Sequence, residues 1–245
     1  MRKIQSFKFL VKFILVSLLL VTAAVIFNLI FSYITADRFQ NASAYMKLQS
    51  EPRTIIIDAG HGGEDGGAVG INNILEKDLN LEISLLLADI FKSAGYNVIL
   101  TREDDRLLYT EYVKGTLKSQ DLRNRFAVSE QNPDSIFLSI HMNMFTKPNY
   151  SGLQIYYSPN HDSSKLLAEN IQSYIKEYLQ PENNRQVKKS GSQIYLMKKI
   201  TTPAILIECG FLSNYEEAEL LADNAYRHML ACVIYCAVDN YITNM

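Results

Sequence analysis

The chain has 245 residues, 48 % hydrophobic and 20 % charged, with a net charge of −2 at pH 7. That balance excludes a disordered chain and leaves room for one to two domains with a sizeable core. It also excludes the whole-protein positive charge of a nucleic-acid binder, so no nucleic-acid partner is expected.

At the N-terminus, Arg2, Lys3, Lys8 and Lys12 precede Phe13–Ile34, which is apolar apart from scattered Ser, Thr, Asn28 and Tyr33. About 20 apolar residues cross a bilayer as a helix, and a basic flank stays inside. Residues 1–36 therefore read as a signal anchor, a transmembrane helix that tethers the chain to the membrane and leaves the rest outside the cytoplasm. A cleaved signal has a shorter apolar core of roughly 7–15 residues, and Ala42-Ser43-Ala44 lies well beyond the run. Residues 37–52 read as a polar linker and residues 53–245 as the folded domain.

Thr54–Asp58 is a strand that runs into Asp58-Ala59-Gly60-His61 and a loop with six glycines by Gly70. Asn72-Asn73 is a turn. Leu75, Leu79, Ile83, Leu86, Leu87 and Ile90 fall at helical spacing up to Ser93, and Gly95 stops that helix. Asn97–Thr101 is a second strand, which completes a βαβ unit with parallel neighbours. Arg102 to Lys118, with Tyr109 and Tyr112, is a long loop, and Ser119–Glu130 a helix. Ser135–Ile140 is a strand that delivers His141 at its carboxyl end. Gly152–Tyr157 is a strand, Asp162–Leu179 a helix, Pro181–Ser192 a polar loop with Arg185, Lys188 and Lys189, and Gln193–Met197 a short strand. Ala204–Ile207 is a strand ending in Glu208, and Tyr215 to about Tyr241 is helical with a break near Asp223-Asn224. The alternation gives an α/β fold: a single layered domain with a mostly parallel or mixed sheet flanked by helices, preceded by the transmembrane helix.

Three strands thus end in His61, His141 and Glu208. Parallel strands bring such ends to one edge of a sheet, where ligands bind in open α/β folds. Two His and one carboxylate with an open fourth position is an arrangement of catalytic zinc. For the remaining ligand, Glu64 forms His-x-x-Glu with His61, whereas Glu76 opens the first long helix and can turn back to the strand ends. Spacing leaves both open, with a slight lean to Glu64.

Four separated stretches carry a resemblance: Asp58-Ala59-Gly60-His61-Gly62-Gly63, Leu75-Glu76-Lys77-Asp78-Leu79-Asn80-Leu81, Ser139-Ile140-His141-Met142-Asn143 and Ile207-Glu208-Cys209-Gly210-Phe211-Leu212-Ser213-Asn214. In this order they resemble the zinc-dependent N-acetylmuramoyl-L-alanine amidases of the amidase-3 type, over the whole region from about Arg53. Thr101-Arg102 with Asp105, and Leu122-x-x-Arg125, resemble the intervening landmarks. Size and architecture are most like the germination-specific branch found in spore formers. The resemblance implies one Zn2+ ion held by His61, Glu76 and His141, with Glu76 preferred over Glu64, and Glu208 as the catalytic carboxylate. It implies a peptidoglycan substrate, cut between N-acetylmuramic acid and L-alanine of the stem peptide, and a role in spore cortex maturation. The site would then lie outside the cytoplasm, in the intermembrane space or on the wall side.

In some members of that family an inserted helix after the second His blocks the metal. Met142–Ser151 is too short for one, so control is expected to lie in timing, localisation or an activating protein partner. Met142 departs from the small residue usual there, and either narrows the pocket or fills a core gap.

Other features have plainer readings. His228, Cys232 and Cys236, four apart, read as a buried helix face rather than a second metal site, and no disulfide framework is expected. Cys209 reads as buried strand, and His161 as a loop or helix-start residue. Arg185, Lys188 and Lys189 read as a solvated loop or as contacts to anionic wall peptide. Two further classes remain: another zinc hydrolase of the wall (a carboxypeptidase, which Glu64 as ligand would favour, or a sugar deacetylase), and a non-catalytic, membrane-anchored wall-binding module.

Overall fold

The computed structural model describes residues 53–244 together with Thr22, Val25 and Ile26. The expected anchor lies outside the described residues apart from those three, and the expected linker 37–52 lies wholly outside them. Among the described residues no helix is long and apolar enough to cross a membrane.

From Arg53 onwards the chain is one compact α/β unit. Its strands are β1 (Thr54–Ala59), β2 (Asn97–Leu100), β3 (Ile136–Asn143), β4 (Gln154–Tyr157), β5 (Lys188–Lys189) and β6 (Ala204–Phe211). Its helices are α1 (Glu76–Ser93), α2 (Leu117–Glu130), α3 (Ser163–Tyr178), α4 (Tyr195–Lys199), α5 (Tyr215–Ala222) and α6 (Asn224–Thr243). The six strands form one sheet in the order β2-β1-β3-β6-β4-β5. All neighbours are parallel except β4, which runs antiparallel to β6. The sheet is therefore mixed.

The central strands are apolar at nearly every position because both faces are covered. Alternate residues point to opposite faces. Ile55, Ile57, Leu138, Ile140, Ile205 and Ile207 pack beneath α1, α3 and α6, on side chains such as Ile83, Ile171 and Ile234, all fully buried. Each such side chain withdraws enough surface from water to contribute about 1.5–3 kcal/mol.

The opposite face is thinner. Ile56, Phe137, Ala204 and Leu206 lie under α4, through Leu196, Met197 and Ile200, with Leu122 and Phe126 of α2 alongside. Two residues further along each central strand the same face turns polar: Asp58 after Ile56, Ser139 and His141 after Phe137, Glu208 after Leu206. The apolar cover ends where the carboxyl ends of the strands begin, which leaves a polar cleft there.

Three sequence expectations change. Gln193–Met197 is not a strand: Tyr195–Lys199 is helical, because Leu196 and Met197 stand four and three residues before Ile200 and all three must reach the thin face. A short apolar run does not separate the two conformations by itself. The polar loop after Pro181 contributes β5, which pairs through Lys188 and Lys189 with Tyr156 and Tyr157. Cys232 and Cys236 are free and exposed, not buried, and His228 is exposed with them. The buried stripe of α6 is Tyr226, Leu230, Ile234, Ala237 and Tyr241, and residues two positions off that stripe face water. The break before α6 falls where expected: Asp223 caps the helix by accepting from the Ala225 and Tyr226 N–H groups.

Candidate metal centre

The site is built outward from the end of β1. The Gly60 N–H still donates to the Ile140 carbonyl at 3.0 Å, so the chain leaves the sheet only at His61. His61 has φ of 60°, in the left-handed region that L-residues rarely occupy. Two buried arginines hold that turn. Arg102 donates to the carbonyls of Ala59 (2.9 Å) and Gly60 (3.0 Å), and Arg125 to those of Ala59 and His61, both at 2.6 Å. Without these partners the carbonyls of Ala59 and His61 would turn inward unsatisfied, and that of Gly60 would keep only the Asn80 amide at 3.1 Å.

Glu76 is the first residue of α1, where the positive end of the helix dipole favours a carboxylate. The loop curls back so that Glu76 Oε2 accepts from the Ala68 N–H at 2.8 Å, and Oε1 from the Met142 N–H at 3.1 Å. The same Oε1 lies 2.9 Å from His141 Nδ1 and 3.2 Å from His61 Nε2. One donor atom each from His61, Glu76 and His141 falls within 4.8 Å of the others. The two imidazoles meet edge to face with centroids 5.0 Å apart. Burial opposes the Glu76 charge, but hydrogen bonds and charge from His141 and His61 outweigh it and hold the carboxyl below its ordinary range. Burial likewise works against a charged His61, and Glu76 and Asp65 together raise it.

Glu208 faces this cluster from β6. It is in register with His141 across the β3–β6 pair and on the same sheet face. It stands outside the three-residue set, and its Oε2 is buried without a hydrogen-bond partner. Burial pushes its carboxyl up to about 7, aided by the Glu76 charge and opposed by the two histidines. A cavity of about 280 Å3 opens in front of His61, His141 and Glu208, walled by Lys118, Tyr195 and Leu206. The segment 144–153 after β3 contains no helix and does not fill it.

The surroundings fit a metal ion. Two imidazoles and a carboxylate are a zinc donor set, and they converge in a cradle with no spare room. A Cβ on Gly67 would stand 2.6 Å from Glu76 Oε2, and one on Gly60 2.3 Å from the His141 ring. Gly60→Ala should therefore displace the His141 imidazole and weaken zinc binding at least tenfold while the fold survives. Competition with a chromogenic chelator, alongside circular dichroism, measures both.

The structure brings together His61, Glu76, His141 and Glu208 of the sequence-derived candidates. Glu64, towards which spacing leaned, is exposed and outside the cluster. A side chain three residues past His61 on this glycine turn points to water, whereas the helix start returns Glu76 to the sheet edge. Met142 is buried in the core on the far face, and only its N–H addresses the site. Cys209 is fully buried, with burial pushing its thiol well up. His161 sits before α3, where its Nδ1 accepts from the Ser163 N–H.

Sequence reasoning placed Asp58, Thr101, Arg102 and Arg125 in the resembling stretches but gave them no role, and it missed Asp65. Asp65 Oδ2 lies 3.0 Å from His61 Nδ1 and 3.1 Å from Lys118 Nζ, a charge contact without hydrogen-bond geometry on the side of the imidazole away from Glu76. Asp58, fully buried, accepts from Arg125 (2.6 Å), Thr101 (2.8 Å) and Ser139 (2.6 Å). An aspartate directly after Ile55-Ile56-Ile57 was the available signal, since a buried carboxylate needs partners.

Comparison with known proteins gives the family and the fold. The family model described as N-acetylmuramoyl-L-alanine amidase matches residues 55–240. The germination-specific N-acetylmuramoyl-L-alanine amidase of Bacillus subtilis is 38 % identical over 193 residues, which cover 78 % of this chain and 80 % of that protein. Among solved structures, the CwlD amidase of Clostridioides difficile, in complex with the GerS lipoprotein, superposes with a TM-score of 0.75 at 41 % identity. That match covers 79 % of this chain and all of the other. The amidase AmiC2 of Nostoc punctiforme superposes with a TM-score of 0.66 at 30 % identity, over 78 % of this chain and 97 % of that one.

Proposed function

Because the chain belongs to the N-acetylmuramoyl-L-alanine amidase family, we propose that His61, Glu76 and His141 hold one zinc ion and that Glu208 moves the proton in the reaction. The reaction is hydrolysis of the amide that joins the lactyl group of N-acetylmuramic acid to L-alanine of the peptidoglycan stem peptide. The observation that carries the site assignment is the convergence of three metal-competent side chains beside a buried, unpartnered carboxylate.

A zinc ion at this site supplies Lewis acidity towards water and towards the scissile carbonyl. Glu208, held near neutrality by burial, takes a proton from the attacking water and returns it to the leaving nitrogen of L-alanine. Asp65 sets its charge against the far side of the His61 ring, and Glu76, fixed from the Ala68 and Met142 N–H groups, cannot swing away. The cavity in front of Glu208 leaves the site open towards solvent.

The germination-specific relative, which this chain covers over four-fifths of its length, supports a role in spore cortex maturation. The neighbour that is in complex with a lipoprotein supports a protein partner for this chain as well. The basic-then-apolar N-terminus supports membrane anchoring, with the catalytic unit outside the cytoplasm.

Mass spectrometry of peptidoglycan digested by the full-length chain, with and without a zinc chelator, tests the reading. Free stem peptides that begin at L-alanine, released only in the presence of metal, are the expected products. Shortened stems or deacetylated sugars would overturn the reaction.

A further inference from the structure

A cation beside the cleft has no role in the chemistry above. Arg185, in the loop before β5, lies half-buried with its guanidinium carbon over two aromatic rings, 4.5 Å from the Phe211 centroid and 5.9 Å from that of Tyr150. Its Nε donates to the Ser151 carbonyl at 2.6 Å. Its two terminal nitrogens have no hydrogen-bond partner among the described residues, and no carboxylate lies within ion-pair distance. The nearby Glu217 is already committed: its two oxygens accept from the Gly152 and Phe211 N–H groups, both at 2.8 Å. An arginine that is stacked, anchored through Nε and left with an open fork is pre-organised for a carboxylate.

Arg185 is tied to the strand that borders Glu208. Gln154 of β4 is the cross-strand partner of Glu208, and its side chain donates to the carbonyl of Gln186, next to Arg185. Tyr156, two residues along β4, feels the charge of Glu208 on one side and Arg185 on the other. Phe211 follows Glu208 on β6 but pairs with Asn143, only two residues past His141, because β6 bulges between them; it therefore lies about 7 Å of strand beyond Glu208. An extended peptide advances about 3.3–3.6 Å per residue, so a stem leaving the reacting bond at L-alanine reaches Arg185 with its second or third residue. A cavity of about 400 Å3 between Tyr150, Gly152, Asn183 and Arg185 is there to receive it, and exposed Phe145 packs its ring 4.6 Å from that of Tyr150 at the lip.

We propose that Arg185, clamped on Phe211 and Tyr150, is a specificity-determining residue that binds a stem-peptide carboxylate two to three residues beyond the cleaved amide. The inference rests on the amidase reading and adds to it a preference for anionic over amidated stems.

The test uses the zinc-loaded full-length chain in mild detergent and three synthetic muropeptides: one with free carboxylates, one amidated at the second stem residue, one at the third. The wild type should lose roughly tenfold or more in kcat/KM, mostly through KM, on one of the amidated substrates. Arg185→Ala should cleave all three alike with kcat within about twofold of wild type, and Arg185→Lys should recover only part of the preference. Equal cleavage of the three by the wild type, or a preference that survives in Arg185→Ala, overturns this inference alone. A uniform collapse of kcat in Arg185→Ala makes the residue a scaffold and overturns it too. No release of peptide from any substrate by the wild type overturns the amidase reading, and this inference with it.

Discussion

Replacing Glu208 with glutamine should lower kcat roughly a thousandfold and leave the zinc content at one ion per chain. The magnitude is that of losing a positioned acid–base group, about 10²–10⁴. Glutamine keeps the shape, and hence the β3–β6 register that sets the residue opposite His141. It cannot take the proton. The zinc stays because the proposed ligand set comes from β1, α1 and β3, with Glu208 outside it.

Stability gives the same variant a second signature. In the zinc-free protein, burial pushes the Glu208 carboxyl up to about 7. A carboxyl whose folded pKa lies above its unfolded value contributes stability that is present below the unfolded value and lost as the pH rises through the folded one. Glutamine escapes that loss. Metal-stripped Glu208→Gln should therefore melt at or above the wild type at pH 8, and the difference should vanish near pH 4. Zinc lost together with activity would make Glu208 a ligand and reverse the assignment, and turnover retained would remove Glu208 from the chemistry. Elemental analysis and kinetics on one preparation decide among these.

The roles just separated differ in how far the sequence disclosed them. His61, His141 and Glu208 were legible because each ends an apolar run, and parallel strands deliver their ends to one edge. Glu76 was not, because its place depends on where a glycine-rich loop returns the chain. Local spacing favoured Glu64, which the same loop turns to solvent. The resemblance supplied Glu76 where the residues alone did not. Helix α4 was missed because five residues carry too little periodicity, and the thin sheet face decides their conformation. The face of α6 was misjudged through Cys232 and Cys236: free cysteine is commonly buried, but here a wider stripe of large side chains occupies the core side. The arginine and aspartate network was least legible, since its partners lie up to 81 residues apart in sequence.

That network should give the largest stability effect in the molecule. Arg125 is 2 % exposed and bridges Asp58 at 2.6 Å and Asp121 at 2.7 Å, while it also donates to the carbonyls of Ala59 and His61. Arg125→Met keeps much of the apolar stem and strands two buried carboxylates. Removing one partner of a buried pair costs about 3–5 kcal/mol, a large share of the stability of an ordinary domain. The pH dependence identifies the cause. In the wild type burial opposes the Asp58 charge, but Arg125 and the Ser139 hydroxyl outweigh it and hold the carboxyl below its ordinary range. A depressed carboxyl contributes stability above its unfolded pKa and loses it as the pH falls through the folded one. In Arg125→Met the Ser139 and Thr101 hydroxyls remain, but the counter-charge that outweighed burial is gone and Asp58 rises. The deficit, read from urea unfolding, should be greatest near pH 7, begin to shrink as the pH falls through the raised carboxyl of the variant, and go on shrinking through the depressed carboxyl of the wild type. Asp58→Asn added to Arg125→Met should recover part of the loss at pH 7, because an amide needs no counter-charge. Zinc affinity should fall with Arg125→Met and stay low in the double variant, since neither replacement donates to the His61 carbonyl that fixes the left-handed turn. A deficit independent of pH would place the loss in packing rather than in unpaired charge, and unchanged zinc affinity would mean that the turn at His61 holds without Arg125.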